Sequence, residues 1–158
     1  MMLIFGGTDP TDFSSLVLEE LLQMDRVFDI TLVLGAGYTH RKNLSRVLKR
    51  HSESKSKVQV VQKIKNVAER MFHSDVVLAS PGLTFFESLM VGTPVLAFHH
   101  NEFQRASYEG FATTLGKDQV KLLPWFIERR KFTYPDSSKI ASLKIGKGKD
   151  TIVEEILK

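Results

Sequence analysis

The feature that most constrains this chain is a repeated unit: a short apolar run that stops at a glycine-containing turn and continues with helical apolar spacing. The first unit runs from the apolar residues 2–5 into the turn Gly6-Gly7-Thr8. Asp9 can cap a helix and Pro10 suits its first position. From Phe13 onward, apolar residues recur at helical spacing. The opening therefore predicts a strand, a tight turn and a helix that lays one face on a sheet.

This unit recurs along the chain. Further strands are predicted at residues 28–34, 58–61, 75–79, 95–98 and, more weakly, 120–123. Helices are predicted at 39–50, 67–72, from 83 to the break at 92–94, at 103–115 and at 152–157. Strands that alternate with helices through short connections form right-handed parallel crossover units. We therefore expect one α/β domain with a Rossmann-like, doubly wound parallel sheet in three layers: a core at 1–123, and an extension of loops and a terminal helix at 124–158.

Composition excludes several classes of protein. The chain has no cysteine, so disulfides, thiolate metal sites and a cysteine nucleophile are ruled out, and a reducing, cytoplasmic compartment is expected. No apolar run approaches the roughly 18 residues of a membrane span, and the start lacks the features of a signal peptide. These properties predict a protein with no transmembrane segment.

The net charge of +4 is concentrated in two basic segments, residues 41–57 and 139–149. Such segments attract polyanions and anionic membranes, and they also occur as solvated helix faces and loops. Neither segment has interleaved aromatic residues or a nucleic-acid motif. No nucleic-acid partner is expected.

Two glycine-containing loops are placed where a ligand would bind in such a fold. In an open parallel sheet the ligand crevice lies beyond the carboxyl ends of the strands, where the winding direction reverses. Residues 6–8 follow the first predicted strand and residues 80–84 follow the fourth. In the usual winding order these two strands are neighbours at the switch point, so the two loops are expected to face each other across one crevice. Glycine lets backbone approach a phosphate, and the helix start behind each loop offers N–H groups. The pair could hold a diphosphate from both sides, although each could also be only a tight turn.

Neither loop carries the dinucleotide fingerprint or the P-loop pattern. Nicotinamide cofactors and ordinary ATPase chemistry are therefore not predicted, and no cofactor is expected. Glu87, one turn into the following helix, could accept hydrogen bonds from ribose hydroxyls or be a solvated carboxylate. Thr84 and Ser88 could supply hydroxyls or be capping and surface residues.

A polar loop, residues 99–104, follows the fifth strand and also falls at the crevice edge. Its histidines, His99 and His100, are adjacent and so point apart on an extended chain. Without a further ligand motif they do not predict a metal site. Asn101 and Gln104 suit hydrogen bonds to sugar hydroxyls, or serve as loop solvation.

In order and spacing these residues resemble the C-terminal, donor-binding half of GT-B-fold enzymes that use UDP-sugars, in particular the UDP-sugar hydrolase of pseudaminic acid biosynthesis and related polysaccharide-biosynthesis glycosyltransferases. The resemblance covers roughly residues 3–116. It rests on the motifs Phe5-Gly6-Gly7-Thr8-Asp9, Asn66-Val67-Ala68-Glu69-Arg70-Met71, the strand, loop and helix from Leu78 to Glu87, Gly92-Thr93-Pro94 and Asn101 to Gln104.

The resemblance implies a role for each matching residue. It implies diphosphate binding by Gly6, Gly7, Thr8, Gly82, Leu83 and Thr84, nucleoside binding by Ile64, Val67 and Glu87, and a sugar-facing loop with Asn101 and Gln104. Pro81 stands where relatives often have a small residue, and proline removes one N–H donor from this loop.

The family's N-terminal half, which carries the acceptor site and, in the hydrolase, a catalytic histidine, has no match here. The resemblance therefore implies a UDP-sugar or UDP ligand and a partner half, either an N-terminal acceptor domain or a separate acceptor subunit. The catalytic residues stay unknown, and the chain alone is expected to bind without catalysing. The alternative is a non-catalytic interaction subunit that docks to a partner acceptor domain. The related GT-B-fold 2-epimerases would need a first half that is not visible.

Overall fold

The structure, a computed structural model, describes residues 1–62 and 64–142. Its centre is an open sheet of six parallel strands in the order β3-β2-β1-β4-β5-β6. The strands are β1 (Met2–Ile4), β2 (Asp29–Val33), β3 (Lys57–Val61), β4 (Val77–Ala79), β5 (Val95–Phe98) and β6 (Thr114–Leu115). This is the Rossmann-like α/β architecture that the alternating pattern predicts, and its winding reverses between β1 and β4.

Helices connect the strands and cover both faces of the sheet. They are α1 (Phe13–Gln23), α2 (Arg41–Arg50), α3 (Val67–Phe72), α4 (Leu83–Met90), α5 (Glu102–Ser107), α6 (Leu123–Glu128) and α7 (Ser137–Ser142), with a 3₁₀ helix at Lys117–Leu122 before α6. None of the helices within the described ranges is long and apolar enough to cross a membrane.

The two faces of the sheet bury two separate apolar clusters, because side chains alternate along each strand. In β1, Leu3 belongs to the cluster that α1, α2 and α6 cover, and Met2 to the cluster that α3 and α4 cover. Both side chains are fully buried. The result is a three-layer domain in which loops emerge at the two edges of the sheet.

The register around β1 determines which loops become neighbours. Leu3 of β1 is level with Leu32 of β2 on one side and with Leu78 of β4 on the other. The expectation that the first and fourth strands lie side by side at the switch point is therefore confirmed. The loops that leave β1 and β4 emerge next to each other at the carboxyl edge.

Two predicted elements differ in the structure. The helix predicted over residues 103–115 ends at Ser107, and Gly110 turns the chain with a φ of 76°. The chain then forms β6, where Leu115 pairs with Phe98. The strand predicted at 120–123 is helical, because Val120 and Leu123, three residues apart, are both buried on the α1 side of the sheet.

The chain after β6 also contributes to the core. In α6, Phe126 and Ile127 are buried in the cluster beneath α1. Thr133 then forms an isolated antiparallel bridge with Val95. The terminal helix predicted at 152–157 lies outside the described residues.

Candidate functional site

The candidate site is formed by three loops at the carboxyl edge of the sheet. The first loop, residues 6–12, joins β1 to α1; the second loop, residues 80–82, joins β4 to α4; and the third loop, residues 99–101, joins β5 to α5. Since β1, β4 and β5 are consecutive in the sheet, these loops lie side by side at the switch point.

The start of α1 is closed by the chain's own carboxylates. The side chain of Asp9, only 2% exposed, accepts hydrogen bonds from the N–H groups of Phe13 at 2.9 Å and Ser14 at 2.8 Å. The N-cap residue Asp12 accepts from Ser15 N–H at 3.4 Å. Asp9 therefore binds the first N–H groups of α1, but the predicted cap position is wrong: Asp12 is the N-cap residue, and Pro10 precedes the helix instead of starting it. With these amides satisfied and two carboxylates present, the end of α1 is a poor site for a phosphate.

The start of α4 is open. Its N-cap residue is Gly82, which has no side chain to offer, and no side chain of the described residues caps the helix. The N–H groups of Leu83 and Thr84 have no hydrogen-bond acceptor in the described part of the chain. The Leu83 side chain is 81% exposed. Unsatisfied N–H groups at a helix start, combined with the helix dipole, favour an anion.

The glycines of both loops face unoccupied space. A Cβ added to Gly6, Gly7 or Gly82 would meet no atom of residues 1–62 and 64–142 within 4 Å. The N–H groups of Gly7 and Thr8, like those of α4, have no acceptor among the described residues. A ligand could therefore approach the backbone of the first and second loops directly.

The turn that follows β2 packs against the first loop and supports it. A Cβ on Gly35 would lie 2.2 Å from the carbonyl oxygen of Gly7, and Gly37 donates its N–H to that same oxygen at 2.9 Å. Next to this contact, the buried Tyr38 hydroxyl donates to Asp12 Oδ1 at 2.7 Å. The first loop is thus held in place by the β2–α2 connection.

His100 of the third loop joins the other two loops. Its Nε2 lies 2.7 Å from Ser80 Oγ in the second loop, and its Nδ1 lies 2.8 Å from Thr11 Oγ1 in the first. The ring also packs on Phe13, with the centroids 5.0 Å apart. Sequence reasoning considered the histidine pair only as metal ligands and missed this role. The available signal was the position of His100 two residues after the end of β5.

Asn101 and Gln104 have partners within the chain. Asn101 caps α5 by accepting from Gln104 N–H at 2.9 Å. The side-chain oxygen of Gln104 accepts from His100 N–H at 2.8 Å, and its nitrogen donates to Pro81 O at 3.5 Å. In this structure the two side chains therefore shape the second and third loops.

The residues matched to nucleoside binding lie on the α4 side of the sheet. Ile64 and Val67 are partly buried and pack against the cluster that contains Met71. Glu87 is exposed in the second turn of α4. The structure thus places Glu87 on the helix whose start is open, and Ile64 and Val67 around the start of the neighbouring helix α3.

Burial sets the protonation of the groups around the second loop. Burial lowers the pKa of His100, although the Asp9 carboxylate and the Phe5 carbonyl oppose this effect. Burial likewise lowers the pKa of His99. Tyr108 donates its hydroxyl to Gly82 O at 3.3 Å, and burial raises the pKa of that hydroxyl. At neutral pH the loops are therefore tied by neutral hydrogen-bonding groups.

A cavity of about 510 Å³ lies at the opposite edge of the sheet. Its lining includes Met1, Asp29, Val76 and Pro94, all at the amino ends of strands. Ligands of open parallel sheets bind beyond the carboxyl ends instead. We therefore assign the candidate site to the three loops and not to this cavity.

Comparison with known proteins found two informative relatives, and no protein-family model matches the chain. The chain is 38% identical over 156 residues to an uncharacterized protein of Methanocaldococcus jannaschii, covering 99% of this chain and 31% of that protein. It is 25% identical over 117 residues to the spore coat polysaccharide biosynthesis protein SpsG of Bacillus subtilis, covering 71% of this chain and 32% of that protein. The chain spans about a third of the length of these relatives.

Proposed function

We propose that this chain binds the UDP portion of a UDP-sugar in the crevice between the first and second loops, as the donor-binding half of a GT-B-type enzyme of polysaccharide biosynthesis. The fold and the similarity to a spore coat polysaccharide biosynthesis protein support a role in that class of pathway. The resemblance of the loop motifs to UDP-sugar enzymes supports the nucleotide.

The observation that carries the proposal is the open start of α4. Among the described residues nothing accepts from the N–H groups of Leu83 and Thr84, which lie at the switch point of the sheet next to a glycine that leaves room for a ligand. A hydrogen bond to a charged group contributes about 1.5 to 3 kcal/mol. Two or three such bonds support binding in the micromolar to millimolar range after the cost of association.

The first loop is the opposite wall of this site. The Asp9 carboxylate occupies the N-terminus of α1, so this loop binds phosphate through the backbone of Gly6, Gly7 and Thr8. A diphosphate that spans the two loops would meet N–H groups from both. These groups and the α4 dipole would stabilise negative charge on the UDP leaving group as its bond to the sugar breaks.

The remaining matched residues complete the proposed donor site. Glu87 accepts hydrogen bonds from the ribose hydroxyls, and the segment containing Ile64 and Val67 contacts the base. Asn101 and Gln104 hold the sugar-facing loop in shape through the bonds they already make.

Catalysis is assigned to the part of the enzyme that this chain does not contain. The chain corresponds to about a third of each relative, and a GT-B enzyme needs a second half to carry the acceptor. We propose that an acceptor domain or subunit faces the three loops, in a transferase or in a UDP-sugar hydrolase such as that of the pseudaminic acid pathway.

Replacing Leu83 with proline tests the site by removing a single N–H group. Proline is tolerated at the first position of a helix, and the Leu83 side chain is exposed, so Leu83→Pro should fold. Leu83→Ala is the matched control, because it removes the same side chain and keeps the N–H. In calorimetric titrations with UDP we expect Leu83→Pro to bind at least about tenfold more weakly than Leu83→Ala.

A second pair of variants tests the ribose contact. Glu87→Ala should weaken UDP binding, whereas Glu128→Ala, an exposed glutamate at the end of α6, should not. If the wild-type chain fails to bind UDP at millimolar concentration, the donor-site proposal is wrong. That result would favour the interaction subunit, whose surfaces serve a partner protein only.

A further inference from the structure

The neutral ring of His100 sits where three loops meet. It contacts the second loop through Ser80, at 2.7 Å, and the first loop through Thr11, at 2.8 Å, and it belongs to the third loop itself. A neutral imidazole has one donor and one acceptor nitrogen, and each hydroxyl can serve as either. Both hydrogen bonds can therefore form at once in either tautomer.

His100 is itself held in place by two contacts independent of the bridge. Its ring packs on Phe13, at a centroid distance of 5.0 Å, and its backbone N–H donates to Gln104 Oε1 at 2.8 Å. Gln104 also reaches Pro81 O at 3.5 Å. A side chain anchored in this way can define the positions of its partners instead of following them.

Ser80 lies just ahead of the open helix start. Only Pro81 and Gly82 separate Ser80 from the N–H of Leu83, which has no acceptor among the described residues, and the Gly82 φ of 152° lies in a region that favours glycine. A glycine in that region adds freedom, so the direction of these N–H groups depends on what holds the residues before it. The Ser80 side chain, 8% exposed, is held by His100.

We propose that His100 is a positioning residue: it sets the separation between the first and second loops and so matches the site to a ligand with two phosphates. This inference rests on the proposed function. Removing a hydrogen bond of His100 to Ser80 or Thr11 should weaken the binding of a ligand that spans both loops more than the binding of a ligand that contacts only one loop. A diphosphate nucleotide is therefore affected selectively.

Two substitutions at one position separate the two hydrogen bonds. His100→Asn places an amide near the Nδ1 position and loses the contact with Ser80. His100→Gln places an amide near the Nε2 position and can keep that contact. Ser80→Ala removes the same bond from the other side, and the double variant Ser80→Ala with His100→Asn tests whether the two changes act through one interaction.

The first readout is the affinity for UDP against that for UMP. We expect His100→Asn and Ser80→Ala each to weaken the binding of UDP about tenfold and the binding of UMP less than about threefold. The double variant should bind UDP no more weakly than either single variant. His100→Gln should recover part of the UDP affinity. Equal losses for UDP and UMP, additive losses, or unchanged UDP binding would each contradict the positioning role.

The second readout needs no ligand and so separates this inference from the proposed function. The Phe85 amide donates to Gly82 O at 3.2 Å in the first turn of α4, and the His51 amide donates to Val47 O at 3.1 Å at the far end of α2. In His100→Asn we expect hydrogen exchange of the Phe85 amide to speed up about fivefold or more, with His51 unchanged. If wild type does not bind UDP, unchanged Phe85 exchange overturns the positioning role and faster exchange supports it.

Discussion

Gly35 lies so close to Gly7 that a single added carbon would collide with it. A Cβ on Gly35 would be 2.2 Å from the Gly7 carbonyl oxygen and 2.3 Å from that of Gly6. Both obstacles are backbone, which cannot swing aside as a flexible side chain can. The turn after β2 therefore requires glycine because of what it packs against.

This contact predicts that Gly35→Ala is destabilising. The first loop or the β2 turn must move, and such overpacking costs about 1 to 3 kcal/mol of unfolding free energy. Gly7→Ala is the matched control, because its Cβ would meet nothing within 4 Å in the described part of the chain; we expect a change of less than about 1 kcal/mol. Chemical denaturation of both variants measures the difference, and equal effects would refute the packing explanation.

Asp9 predicts a second stability effect. Its carboxylate satisfies two N–H groups at the start of α1 from a buried position. Asp9→Ala should lower the unfolding free energy by about 1 to 2 kcal/mol, the usual cost of losing a cap. Asp9→Asn keeps one acceptor oxygen and should lose less. Asp25→Ala, at an exposed turn, is the control, and the capping role would be excluded if it proved as costly as Asp9→Ala.

The buried Tyr38 hydroxyl contributes to stability through its hydrogen bond with Asp12. It donates to Asp12 Oδ1 at 2.7 Å and lies 3.1 Å from Ser15 Oγ. Tyr38→Phe removes this donor and leaves the buried Asp12 Oδ1 with the longer, 3.4 Å bond from Ser15 N–H, at a cost of about 1 to 3 kcal/mol. The Tyr134 hydroxyl bonds Arg130 O from an exposed position, so Tyr134→Phe should cost less than about 0.5 kcal/mol. Thermal or urea unfolding of the two variants will show whether they differ.

Histidine burial predicts a loss of stability on acidification. The pKa of His100 and that of His99 are both lowered by burial, so below about pH 6.5 the unfolded chain binds protons that the folded chain does not. The stability present above that pH is lost as the pH falls through the lowered pKa values.

Urea denaturation as a function of pH measures this effect. The slope of unfolding free energy against pH between about 6.5 and 5 should be smaller in His100→Asn than in wild type. It should be smaller still in the double variant with His99→Asn. An unchanged slope in both would show that these rings do not stay neutral in the folded protein.

The local sequence pattern was sufficient to predict the elements that have clear boundaries. The strand predicted at 95–98 and the helix predicted at 67–72 have the observed bounds. In the first case the break at 92–94 precedes the strand and polar residues follow it. Where such boundaries were weak, as in residues 103–115, a helical pattern hid the strand β6, because only pairing with β5 reveals it.

For the candidate site, too, the sequence predicted some features and not others. The loops after β1 and β4 could be predicted as neighbours, because the first and fourth strands are adjacent in the usual winding order of a doubly wound sheet. The sequence did not predict which of the two helix starts is open, because both loops contain glycine. Only the folded chain brings the Asp9 carboxylate back onto the start of α1.

The sequence by itself determined the alternation of strands and helices, the parallel sheet and the edge at which its polar loops gather. These follow from side-chain periodicity and turn residues, which act over a few neighbours. Only the tertiary structure decided that His100 joins Ser80 to Thr11, and that Gly35 supports Gly7. Such contacts join residues 20 to 89 positions apart, and their geometry exists only once the sheet has brought the strand ends together.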